Sequence, residues 1–205
     1  MQQECPCETI MTSRREAETR FPKKKFLAGL LGLALSACAT LPQDQPVYEQ
    51  LDADTGVTIA RIGKPIELYR ETTPNSSADR FAFLAPFETN QMGTRASFLW
   101  LAVPIDPKMA DSVPALDVDG TPVALGAPGR DADFAGLAKP PYKAPAPWSV
   151  SYYFKIDGEL IARLGAAQSL AIHMMEPTKT DPVDAQFAVK IVDDTRLKEF
   201  AARQQ

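Results

Sequence analysis

A single histidine, three cysteines and 26 carboxylates bound the chemistry open to this chain. His173 lies in "SLAIHMM", where it alternates with Ile172 and Met174 and shares a strand face with Ala171 and Met175. An imidazole there can act as a base, but no Gly-x-Ser-x-Gly elbow supplies its nucleophile. A structural hydrogen bond is its expected role. A zinc site needs about four ligands, more than one histidine or the Cys-Pro-Cys at 5–7 provides. Asp117-Val-Asp119-Gly120 opens like a calcium loop, but the twelfth position, which needs a bidentate Glu, is Pro128. The alternative, a two-residue hairpin turn at Asp119-Gly120, is preferred. Paired carboxylates suffice for glycoside hydrolysis, yet spacing along the chain does not show which of them meet.

The most distinctive stretch is "FLAPFETNQMGTRASFLWL", residues 83–101. Asn90 and Gly93 bracket a tight connection, with Gly supplying a positive φ and Asn tolerating one. Phe98 and Trp100 then share a strand face. As a binding site this stretch offers Asn90, Arg95 and Trp100. As structure, it shapes a hairpin and puts Trp100 in the core. Neither pattern supplies a catalytic residue, a metal ligand set or a cofactor site, so none is expected.

Before any of this comes "KKKFLAGLLGLALSAC", residues 23–38. The apolar run Phe26–Leu35 is too short to span a bilayer, which needs roughly 20 residues. Three lysines ahead of it and Ser36-Ala37 behind it match the zones of a secretory signal. Leu35-Ser36-Ala37-Cys38 resembles the lipobox of bacterial lipoproteins, in which the thiol is alkylated by diacylglycerol and the leader is cut before it. That resemblance implies lipidation at Cys38, acylation with fatty chains such as palmitate, and loss of Cys5 and Cys7 with the leader. Met11 offers an alternative start that leaves all these zones intact.

The expected organisation is therefore a leader and signal peptide at 1–37, a lipidated cysteine and tether at 38–46 ("ATLPQDQP" after the cysteine), and one β-rich domain at 47–205. Without residues 1–37 the chain keeps 16 Lys/Arg against 22 Asp/Glu, a net charge of −6. An acidic domain with no basic patch argues against nucleic acid, whose binding rests on cationic neutralisation of phosphates. It also leaves membrane attachment to the lipid.

The elements that must position these residues read mainly as strands. "GVTIARIGKPIELYR" (56–70) alternates on both sides of a Gly-Lys-Pro break. Residues 72–79 are a polar loop. Residues 80–90 and 95–105 are apolar strands, 114–125 is a hairpin, and 148–157, 169–175 and 184–192 are strands. Leu160, Ile161 and Leu164 mark a short helix in 158–168, and Leu197, Phe200 and Ala201 an amphipathic helix in 193–204. Residues 126–147 lack periodicity, and four prolines in 139–147 favour an extended surface crossover. The expected fold is mainly β, α+β in detail: an antiparallel β-sandwich or curled sheet of eight or nine strands with one short late helix and a C-terminal helix.

The Asn-x-Met-Gly turn before the Leu-Trp strand, with the lipobox ahead of it, resembles envelope lipoproteins of proteobacteria that have no assigned function. The resemblance implies an outer-membrane protein facing the periplasm, since Ala39 rather than Asp follows the cysteine. The reading is a non-enzymatic binding or accessory component held to the membrane by its N-terminal lipid, with an envelope protein as possible partner. The alternatives are a periplasmic carboxylate-dependent hydrolase and a subunit of an envelope transport or assembly complex.

Overall fold

The computed structural model describes residues 46–70, 81–104, 111–144, 146–147, 149–175, 182–191 and 194–204. Cys38, the leader and the tether up to residue 45 lie outside them, as do the polar loop at 72–79 and Trp148. Ten antiparallel strands form one sheet: β1 (Val47–Asp52), β2 (Val57–Ile62), β3 (Ile66–Arg70), β4 (Phe81–Gln91), β5 (Thr94–Pro104), β6 (Val113–Val118), β7 (Thr121–Val123), β8 (Ser149–Ile156), β9 (Ser169–Met175) and β10 (Pro182–Lys190). Helix α1 (Gly158–Ala166) precedes β9, and α2 (Thr195–Ala202) follows β10. The sheet curls without closing into a barrel. Among the described residues no helix is long and apolar enough to cross a membrane.

The sheet forks at β4. One edge of this 11-residue strand pairs with β5 from Phe83 to Gln91, and β5 pairs with β8. The other edge is shared: β2 takes Phe87–Asn90, and β3 takes Phe81–Leu84. Beyond β2 lies β1, and beyond β3 the order runs β10, β9, β6, β7.

Alternation decides which face turns inward. In β3, Ile66 and Leu68 are buried while Glu67 and Tyr69 are exposed. The same parity carries across the register to Leu84, Leu101 and Phe154 on one arm, and to Leu116, Ile172 and Phe187 on the other. All of these are buried. Both helices pack on this inner face. Asp157 caps α1, accepting from the Leu160 N–H at 2.9 Å, and the helix buries Leu160, Ile161 and Leu164. Asp194 caps α2, accepting from the Arg196 N–H at 2.9 Å, and the helix buries Leu197, Phe200 and Ala201. Each buried leucine, isoleucine or phenylalanine contributes roughly 1.5–3 kcal/mol, more than short helices gain from propensity. The helices touch at Gly165, where a Cβ would meet the Ala201 Cβ at 2.5 Å.

Strands β4 and β5 are buried on both faces, because the crossover from β7 to β8 covers the outer one. This stretch turns through a 3-10 segment, Ala132–Ala135, and buries Ala132, Ala135, Leu137 and Tyr142. Trp100 packs against Tyr142 with ring centres 5.1 Å apart, and Phe98 meets Phe134 edge-on at 6.2 Å. The Tyr142 hydroxyl lies 3.2 Å from the Pro86 carbonyl and 3.3 Å from that of Ile62, and burial drives its pKa far upward. Gly129 exchanges two backbone hydrogen bonds with Tyr153, shielding part of the edge strand β8. Pro141 is buried beside Tyr142 while Pro140 and Pro147 are exposed, so the crossover runs at the surface and also covers the strands beneath it.

Both two-residue hairpin turns place their two residues at positive φ, the geometry that matches strand twist. Asp119 and Gly120 do so at 53° and 73°. At the other turn the pair is Met92 and Gly93, at 50° and 89°. The left-handed residue is thus Met92, where Asn90 was expected to be the residue tolerating that conformation. Asn90 stays in the strand, and its Oδ1 accepts from the Gly93 N–H at 3.0 Å.

Candidate functional site

The β4–β5 register sets Asn90 opposite Arg95 and Glu88 opposite Ser97. Through β2 and β1 these pairs extend into two adjacent rows on the inner face. One runs Leu51, Thr58, Asn90, Arg95, and the next Glu49, Ala60, Glu88, Ser97. The C-terminal end of α2 sits above them. Ser97 Oγ donates to Gln204 Oε1 at 3.5 Å, and Arg203 pairs with Glu49. Between helix and rows is a cleft of about 320 Å³, at the small end of ligand pockets.

Its electrostatics alternate. The Glu49 and Arg203 side chains are 55% and 41% exposed and form one rim. Glu88 lies at the floor, 7% exposed, with Arg95 Nη1 3.9 Å from its Oε1. That separation makes an ion pair but exceeds hydrogen-bond range. The Arg95 side chain, 65% exposed, stands at the mouth.

Two of the three sequence candidates therefore meet: Asn90 and Arg95 line the cleft. Trp100 does not join them. It has the opposite parity, is fully buried under Tyr142, and its Nε1 donates to Ser151 Oγ at 3.2 Å. Glu88, Glu49 and Arg203 were missed. A signal for Glu88 was available: it shares parity with Leu84 and Pro86, both buried, so its charge falls on an inward position of an apolar strand.

His173 Nε2 contacts Asp117 Oδ2 at 3.1 Å on the outer face. Asp119 is occupied locally, since its Oδ1 accepts from the backbone N–H groups of Gln168 and Ser169, both at 2.8 Å. These bonds hold its carboxyl below the usual range. Among the described residues no three His, Cys, Asp or Glu side chains gather as metal ligands would. No protein-family profile, curated protein sequence or solved structure significantly matches the chain.

Proposed function

We propose that the chain is a lipid-anchored envelope lipoprotein whose sheet domain is a non-enzymatic binding or accessory component, taking a small polar ligand in the cleft beneath α2. The anchor reading draws on Lys23–Cys38, and the placement at the outer membrane, facing the periplasm, draws on Ala39. The binding reading is carried by one observation: a concave site with charged and amide groups of both signs between helix and sheet. Thermal-shift measurements with sugars, amino acids, dicarboxylates and inorganic phosphate test it. At least one class raises the melting temperature, and Ala60→Trp, which fills the cleft, abolishes the rise. No response to any class removes the reading.

A carboxylate hydrolase is the second reading, because Glu49 and Glu88 line the same cleft. They lie on strands separated by β2 alone, their backbones roughly 10 Å apart. Each, however, faces an arginine, whereas a carboxyl that donates its proton needs apolar surroundings.

A further inference from the structure

We propose that the cleft takes a small zwitterion of the α-amino-acid type, its ammonium on Glu88 and its carboxylate on Arg95. The proposal deepens the binding reading above and rests on it. Glu88 carries it. Its side chain is only 10% exposed, lines the cleft, and is held among the described residues by the single long contact to Arg95. Its carboxylate opens onto the cleft, and the cation paired with it among the described residues, Arg95, is 3.9 Å away, beyond hydrogen-bond range. The cleft's other arginine, Arg203, is committed to Glu49. A ligand ammonium in the cleft can supply the hydrogen-bond donor that Arg95, at that distance, does not.

Arg95 selects the ligand's other end. Its guanidinium is mostly exposed at the mouth and among the described residues holds that one long contact, so its planar fork is open to a carboxylate. Asn90 stands opposite in the register. Its Oδ1 is taken by Gly93, which leaves its amide N–H groups to support the same anion. A simple anion would meet repulsion from Glu88 and Glu49, and a simple cation repulsion from Arg95 and Arg203. A molecule with an ammonium beside a carboxylate satisfies both, converting one long ion pair into two charge-assisted hydrogen bonds. The volume of about 320 Å³ suits a ligand of that size.

Calorimetric titration of the full chain at low salt, with L-alanine, L-glutamine, methylammonium and acetate as probes, tests this. At least one amino acid binds, and the two single-charge probes bind about tenfold more weakly or worse, the worth of one charge-assisted hydrogen bond. Glu88→Gln and Arg95→Gln each lose a similar factor while keeping the wild-type circular dichroism. Should Glu88→Gln fail to fold, Arg95→Gln, at an exposed position, decides alone. Equal binding of acetate or methylammonium, or wild-type affinity in the variants, overturns the proposal. If amino acids fail while another class stabilises the protein, the zwitterion is wrong and the cleft reading survives. If no class binds, both fall.

Discussion

The carboxylate of Asp119 accepts from the backbone N–H of Ser169, fifty positions away, at 2.8 Å. One residue thus shapes the β6–β7 turn, at a φ of 53°, and ties that turn to the start of β9. Hydrogen bonds to the ionised form, first from Gln168 and then from Ser169, depress its pKa below 3.8. A group whose folded pKa is depressed contributes stability above its unfolded pKa and loses it as pH falls through the folded value. Asp119→Asn keeps a residue that tolerates positive φ but removes the charge. Its melting temperature should fall at pH 7, and the gap to wild type should close below pH 3.8 as the wild-type carboxyl protonates. Melting curves from pH 7 to pH 2 check this; a gap that stays constant with pH would exclude the charge as the cause.

Trp100 is fully buried between β4, β8 and the covering layer. Trp100→Ala should cost about 3–5 kcal/mol, mostly through the cavity left behind. That is a large share of the 5–15 kcal/mol typical of a domain. Trp100→Phe retains much of the packing against Tyr142 but loses the Ser151 hydrogen bond, and should cost less. Urea unfolding of the two variants ranks them.

Gly165 and Ala201 set the distance between the helices. A methyl at 165 would sit 2.5 Å from the Ala201 Cβ, so Gly165→Ala should destabilise by about 1–3 kcal/mol despite alanine's better helix propensity. Adding Ala201→Gly should recover part of the loss. A double-mutant cycle by chemical denaturation measures the coupling, and strict additivity would show that the two positions do not meet.

Much of this architecture was legible because it is local. The Ile66/Leu68 against Glu67/Tyr69 alternation announces β3, and Asp119-Gly120 announces its turn. Asn90 and Arg95 could be paired from sequence because a two-residue loop fixes their register. Met92 went unnoticed as the left-handed residue because methionine has no intrinsic preference for positive φ; the strand pairing on either side imposes it. That the surface crossover at 126–147 also covers the sheet was not legible, because its partners, Trp100 and Phe98, lie far away in the chain. The cleft failed for the same reason: Arg203 reaches Glu49 across 154 positions, and no periodicity encodes that docking.

Anchoring through Cys38 has its own test. Stable attachment takes two or more acyl chains, at ~0.8 kcal/mol per buried CH₂. Cys38→Ser should release the protein from membranes with the leader uncut, as read by fractionation and mass. The wild type should travel with outer-membrane markers on a density gradient. A Cys38→Ser protein that still sediments with membranes at the mature mass would exclude this anchor.

Turnover is the test of the hydrolase alternative. The wild-type protein should hydrolyse no ester, peptide, phosphoester or glycoside, and His173→Ala should change nothing. A positioned acid or base contributes 10²–10⁴-fold, so a real activity would collapse in Glu49→Gln or Glu88→Gln. Loss of turnover in either variant, with an unchanged melting temperature, would replace the binding reading by the hydrolase.

The fork at β4 carries a consequence for the order of assembly. The β4–β5 hairpin closes over two residues and is a local, fast event, while β3 must wait for β10, joining Arg70 to Phe187 across most of the domain. Until then β3 has one open edge, the one that β10 later pairs through Phe187 and Ala188. The last strand and helix thus act as a latch on a sheet whose other arm is already formed. Loss of the final thirty or so residues should turn a folding domain into one that associates through its exposed β3 edge.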